Sequence, residues 1–213
     1  MTEQIRKTLE FVNKKLLNEY DKTFFTKEQM LYRYDHTLRV AAIGQKIARA
    51  EKMNEEALII ACLLHDVGYC EISDFSQYNE HGFISARVAK PFVNGLDFNE
   101  KTKLDILAGI ASHVTDEADF ACELNAFTKT IGDCDNIDRF DAFRIYDNLQ
   151  DVEFRDMPLE KQKTFIEERL TKLKKFEKMQ FATVTATKMW NEKIQFQIIF
   201  YTRLLEQLNQ TIV

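Results

Sequence analysis

Apolar residues recur at steps of three and four along nearly the whole chain, which is the period of an α-helix. Residues 3–20 carry Ile5, Leu9, Phe11, Val12, Leu16 and Leu17. Thr26 with Glu28 and Gln29 reads as a helix start, though not as a strict capping box, and that helix runs to about Ala50. Asn54, followed by Glu55 and Glu56, opens the next one, which covers Ala57 to about Asp66, with Gly68 marking its end. A polar loop, "YCEISDFSQYNE", comes after it. "HGFISARVAKPFVNG" is a helix that Pro91 kinks or divides. "NEKTKLDILAGIASHV" is another, and "FTKTIGDCDNIDRFDAFRIYDNL" reads as one continuous helix. Two more span about 158–178 and 181–209. No run alternates long enough for a strand. The pattern predicts an all-α, single-domain helical bundle over 1–213, with a core at about 28–150 and C-terminal helices at about 158–209 packed on it.

Composition agrees with helices: 213 residues contain only 2 Pro and 6 Gly, too few for a turn-rich β fold. A net charge of −5 gives no reason to expect nucleic-acid or membrane binding. Residues 1–20 lack the apolar core of a secretory leader, and no run approaches the roughly 18 apolar residues of a membrane span. Cys62, Cys70, Cys122 and Cys134 show no CxxC spacing and read as reduced thiols. A cytoplasmic location is the expectation. The amphipathic C-terminal helix could support a homodimer, or pack on its own domain.

The candidate chemistry lies in four histidines and an acidic cluster. His36, His65, His81 and His113 each sit on or beside a helix, among polar or small residues. Asp133, Asp135, Asp138 and Asp141 follow in "GDCDNIDRFD". A single such histidine is an ordinary core or capping residue, and an acidic run is usually a solvated face. Here the acidic run is interleaved with Ile137, Phe140 and Phe143, so one side of it is buried. His65–Asp66 ends an apolar helix where an uncompensated charge would be costly, and a bound cation is the simplest compensation. Imidazole and carboxylate on separate helices are what a bundle-core metal site requires.

Taken together, "HTLRVAAIGQKIA", "ALIIACLLHDVGY" and "IGDCDNIDRFDAFR" resemble the three spaced elements of the HD superfamily of metal-dependent phosphohydrolases. The resemblance implies His36, His65, Asp66 and Asp135 as ligands of a divalent metal (Mn, Co, Ni, Zn, Fe or Mg). Asp138 is then a support or a base acting through water. Asn136 stands where a basic residue is commoner, and a register shifted onto "IDRFDA" would make Asp138 the ligand instead. "HGFISARVAKPFV" and "IASHVT" match places where many members carry further histidines. His81 and His113 therefore either face substrate beside one metal, the reading preferred here, or hold a second metal bridged by Asp66. Arg33 and Arg39, three residues either side of His36, are candidate phosphate ligands, with Lys129 a further one. The resemblance implies metal-activated water, with Asp66 and Asp138 at the reacting centre, cleaving a phosphate ester or anhydride of a nucleotide or related small molecule. The alternatives are an HD-type di-iron oxygenase and a non-catalytic metal-binding or signalling module. Tyr69, Phe75 and Tyr78 are candidates for a substrate wall.

Overall fold

The computed structural model of the protein describes residues 1–20 and 22–210. Among them are nine α-helices and no strand: α1 (Glu3–Asn13), α2 (Lys27–Glu51), α3 (Glu55–Leu64), α4 (His81–Asn94), α5 (Glu100–Ser112), α6 (Ala126–Arg139), α7 (Ala142–Asp151), α8 (Leu159–Phe176) and α9 (Val184–Asn209). No described helix is long and apolar enough to cross a membrane. The chain forms two compact units, Met1–Asn136 and Ile137–Val213, with the boundary inside α6.

The first unit is built around α3. Every residue from Ala57 to Leu64 is buried, so this helix is apolar on all sides and has no solvent face. Each fully buried Leu or Ile contributes about 1.5–3 kcal/mol. Asn54 caps α3 by accepting from the Ala57 N–H at 3.0 Å. The α2 start is a complete capping box after all: Thr26 Oγ1 accepts from the Gln29 N–H, and Gln29 Oε1 accepts from the Thr26 N–H at 2.9 Å. Gln29 occupies the N3 position, so the motif needed no acid there.

Three local expectations change. Gly68 is not a left-handed helix end, since no glycine has positive φ. It sits in a 3₁₀ turn, Val67–Glu71, where a Cβ would lie 2.5 Å from the Ser85 backbone nitrogen. Its role is close approach to α4, fixed by its N–H donating to Ser85 Oγ at 2.9 Å. Pro91 lies within α4 and does not divide it. The segment read as one helix over "FTKTIGDCDNIDRFDAFRIYDNL" is two, because Asp141 takes extended backbone and accepts from the Ala142 N–H, starting α7 afresh.

In the second unit Trp190 packs against Phe140, Phe176 and Phe181, and its indole N–H donates to the Phe176 carbonyl at 2.9 Å. Buried Gln197 donates to the Phe140 carbonyl at 2.7 Å.

Candidate metal centre

Six of the residues singled out in the sequence meet at one place in the first unit. His36 comes from the middle of α2, His65 from the C-terminus of α3, and Asp66 is the next residue. His81 opens α4, His113 ends α5, and Asp135 lies on α6. All but His81 are buried, with His36, His65 and Asp66 at most 1% exposed.

The imidazoles are oriented by the backbone. Nδ1 of His65, His81 and His113 lies 2.7, 2.6 and 2.7 Å from the carbonyl oxygens of Cys62, Tyr78 and Ile110, each three residues earlier. A carbonyl only accepts, so each Nδ1 carries the proton and donates it. In the neutral ring Nε2 is then the atom with the free lone pair, and all three Nε2 atoms point inward. The His65 and His113 pins use helix-end carbonyls that have no intrahelical donor.

Asp66 sits between two imidazole pairs and turns one oxygen to each. Its Oδ2 is 3.8 Å from His36 Nε2 and 3.5 Å from His65 Nε2. Its Oδ1 is 3.5 Å from both His81 Nε2 and His113 Nε2. Asp135 adds its Oδ1 to the first pair, 3.0 Å from His36 and 4.0 Å from His65. Two triads able to hold a metal ion result, His36–His65–Asp66 and Asp66–His81–His113, with Asp66 in common. Ligands about 2.1 Å from one ion stand roughly 3–3.6 Å apart, close to the separations within each triad.

Two observations show that these residues fit a cation. His65 Nε2 and Asp66 Oδ1 are buried without a hydrogen-bond partner: the imidazole Nε2 atoms 3.5 Å from Oδ1 carry no proton in the neutral tautomer that the carbonyls impose. A buried polar atom left so costs about 1–3 kcal/mol. His81 and His113 also bring their Nε2 atoms to 3.1 Å. With both Nδ1 positions protonated, two lone pairs face each other in the neutral rings, and a shared proton or a bound cation bridges them.

The electrostatics agree. Burial drives the His65 pKa down to about 4, so the ring is neutral, as a ligand must be. Burial also lowers His81, while His113, despite its burial, is raised by Asp66. Burial alone would raise Asp66, but His65, Arg33 and the other imidazoles outweigh it and hold the carboxyl well below its usual range.

Arg33 donates to Asp66 Oδ2 at 3.0 Å and to Tyr78 Oη at 3.2 Å, and its guanidinium lies 4.0 Å over the Tyr69 ring. Burial opposes its charge and the Asp66 carboxylate more than restores it. Arg39 stands 6.0 Å from the centre of the Tyr32 ring, which lies parallel to His36. Lys129 is exposed and its amine makes no hydrogen bond or ion pair with described residues. Asp138 is buried one turn beyond Asp135 on α6. Of the three wall candidates, Tyr69 is 1% exposed and lies beneath Arg33, whereas Phe75 is 76% exposed. Tyr78 has a part the sequence did not suggest: its hydroxyl holds Arg33 and its carbonyl orients His81.

Residues 33–142, which span every residue of this cluster, match the family model described as the HD domain. Among solved structures, a predicted HD superfamily hydrolase from an uncultured Thermotogales bacterium is similar at 22% identity, with a TM-score of 0.64 over 96% of this chain and 92% of that one. At that identity the likeness speaks to the fold. No curated protein matches the sequence. The family model takes in more than half of the chain, from Arg33 through the imidazole and carboxylate cluster to the start of α7, and the chain belongs to the HD-domain family.

Proposed function

We infer that the protein is a metal-dependent hydrolase of phosphate esters or anhydrides, acting on a nucleotide or related small phosphate, with two divalent ions bridged by Asp66. The observation that carries this reading is the division of labour within Asp66, one oxygen toward His36 and His65 and the other toward His81 and His113. The single-ion arrangement, with His81 and His113 facing substrate, leaves Asp66 Oδ1 and the two imidazole nitrogens around it to be served by a proton alone. The likeness to a predicted HD superfamily hydrolase supports the hydrolase class and says nothing of the number of ions.

Divalent ions held there would supply Lewis acidity toward a phosphoryl oxygen and lower the pKa of a water. The chain's own contribution is placement and charge. Asp66 and Asp135 set the spacing of the ligand atoms, and the backbone carbonyls of Cys62, Tyr78 and Ile110 keep the imidazoles in the ligating tautomer. Arg33 spends one donor on Asp66 and one on Tyr78. Its remaining donors are available to a phosphate oxygen, stabilising charge as a P–O bond breaks and water adds to phosphorus. Asp138 is assigned the support of Asp135, or a proton through water.

The test is phosphate release from a panel of nucleotides and small phosphate esters by protein reconstituted with Mn, Co, Ni, Zn, Fe or Mg. Release should depend on metal and vanish in Asp66→Ala. Metal-replete protein that releases no phosphate from any of them would overturn the reading. The same two triads would also serve a di-iron oxygenase. That alternative requires two irons per chain and oxygen consumption, and a non-iron metal in native protein removes it.

A further inference from the structure

A cavity of about 320 Å³ opens on α4 and α5, and none of the six imidazole and carboxylate residues lines it. That volume falls within the roughly 300–1,000 Å³ of small-molecule sites. Its floor is apolar, made by the buried Ala86 and Leu107. Phe83, Leu104 and Phe120 form its walls, and the last two are 43% and 36% exposed. Arg87 and Lys90 stand at the rim with Phe83 and Ala86, at the i, i+3, i+4, i+7 spacing of one helical stripe.

Lys101 and Lys103 on α5 are each paired with an acid one turn away. Around Arg87 and Lys90 the neighbouring turn positions hold Phe83, Ile84, Pro91 and Asn94, so no helical acid can reach them. Neither side chain has a hydrogen bond or ion pair among described residues. Two like charges one turn apart over an apolar cavity repel each other slightly, and an anion relieves that repulsion. Asp119, also lining the cavity, reduces the local charge of the site to a single positive unit. Phosphate has no apolar body to fill the walls, so the cavity favours an anion that carries one.

We propose that this cavity binds a small organic monoanion with an apolar body, its carboxylate on Arg87 and Lys90 and its body between Phe83, Leu104 and Phe120. The site is distinct from the metal centre and independent of the reaction assigned there, although α4 and α5 also carry His81 and His113.

The test uses the full chain, metal-loaded, titrated with 3-phenylpropionate by calorimetry. One saturable site per chain is expected. Arg87→Glu with Lys90→Glu should weaken it about tenfold or more, the loss expected for two charge-assisted contacts. Asp119→Asn should tighten it, and inorganic phosphate should not compete. All three side chains are exposed, so thermal melts of the variants should match the parent. Absence of saturable binding, affinity unchanged by the double charge reversal, or competition by phosphate as strong as by the carboxylate would each overturn the proposal.

Discussion

Gly82→Ala tests whether the spacing of α4 and α5 sets the second half of the metal centre. A Cβ at residue 82 would lie 2.6 Å from the Ala111 carbonyl oxygen, 3.2 Å from Val114 Cγ2 and 3.3 Å from the Ile110 carbonyl oxygen. Two of these are backbone atoms of the helix end that presents His113, so no flexible side chain can yield. Reaching ordinary contact requires the helices to part by about 0.8 Å. Overpacking of this kind costs about 1–3 kcal/mol. For a chain of this size, that lowers Tm by roughly 2–12 °C. Metal ligands tolerate displacements of only about 0.2 Å. His81 and His113, whose Nε2 atoms stand 3.1 Å apart on either side of this contact, would no longer close on one ion. Elemental analysis after exhaustive dialysis should fall from two ions per chain to one, with the His36–His65 ion retained. Gly95→Ala is the control: its Cβ would meet the Phe92 carbonyl oxygen at 3.4 Å, an ordinary contact, and both metal content and Tm should hold. Two tightly held ions and an unchanged melt in Gly82→Ala would refute the reasoning.

Two further outcomes follow from the same geometry. His65 falls to about 4 in the folded state against an ordinary value of 6.5, and His81 is also lowered, so the unfolded chain takes up these protons first. In chelator-treated protein the His65 contribution should be complete above about pH 6.5 and fall by about 3 kcal/mol as pH drops toward 4, with His113, raised by Asp66, offsetting part of that loss; denaturant midpoints that do not change between a His65→Ala variant and the parent over that window would contradict it. Asp135→Asn should weaken retention of the His36–His65 ion at least as much as the 10–100-fold typical of a supporting residue, while Asp138→Asn keeps both ions. If Asp138→Asn is the variant that loses an ion, the shifted register, with Asp138 as ligand, is the correct one.

The parts legible in the sequence are those that depend on local spacing. The helical stripes and the Asn54 cap come from residue type and interval, and the spaced motifs carrying His36, His65–Asp66 and Asp135 were legible through their resemblance to the HD pattern. The break between α6 and α7 was hidden because the apolar spacing runs through Asp141 without interruption, and only its extended backbone turns it into a cap. Gly68 looks the same in sequence whether it ends a helix by left-handed backbone or admits a neighbour, and the Ser85 contact that decides is 17 residues away. The direction in which each Asp66 oxygen points, which separates a one-ion from a two-ion centre, depends on where α4 and α5 arrive. Tyr78 shows no sequence signal for its double role, because a carbonyl that orients His81 belongs to any residue type.

The central claim is that Asp66 bridges two ions, and metal content measured on native protein tests it most directly. Two divalent ions per chain are expected, both lost in Asp66→Ala, with one retained in His113→Ala. A single ion per chain that persists at full occupancy in His81→Ala and His113→Ala would contradict it.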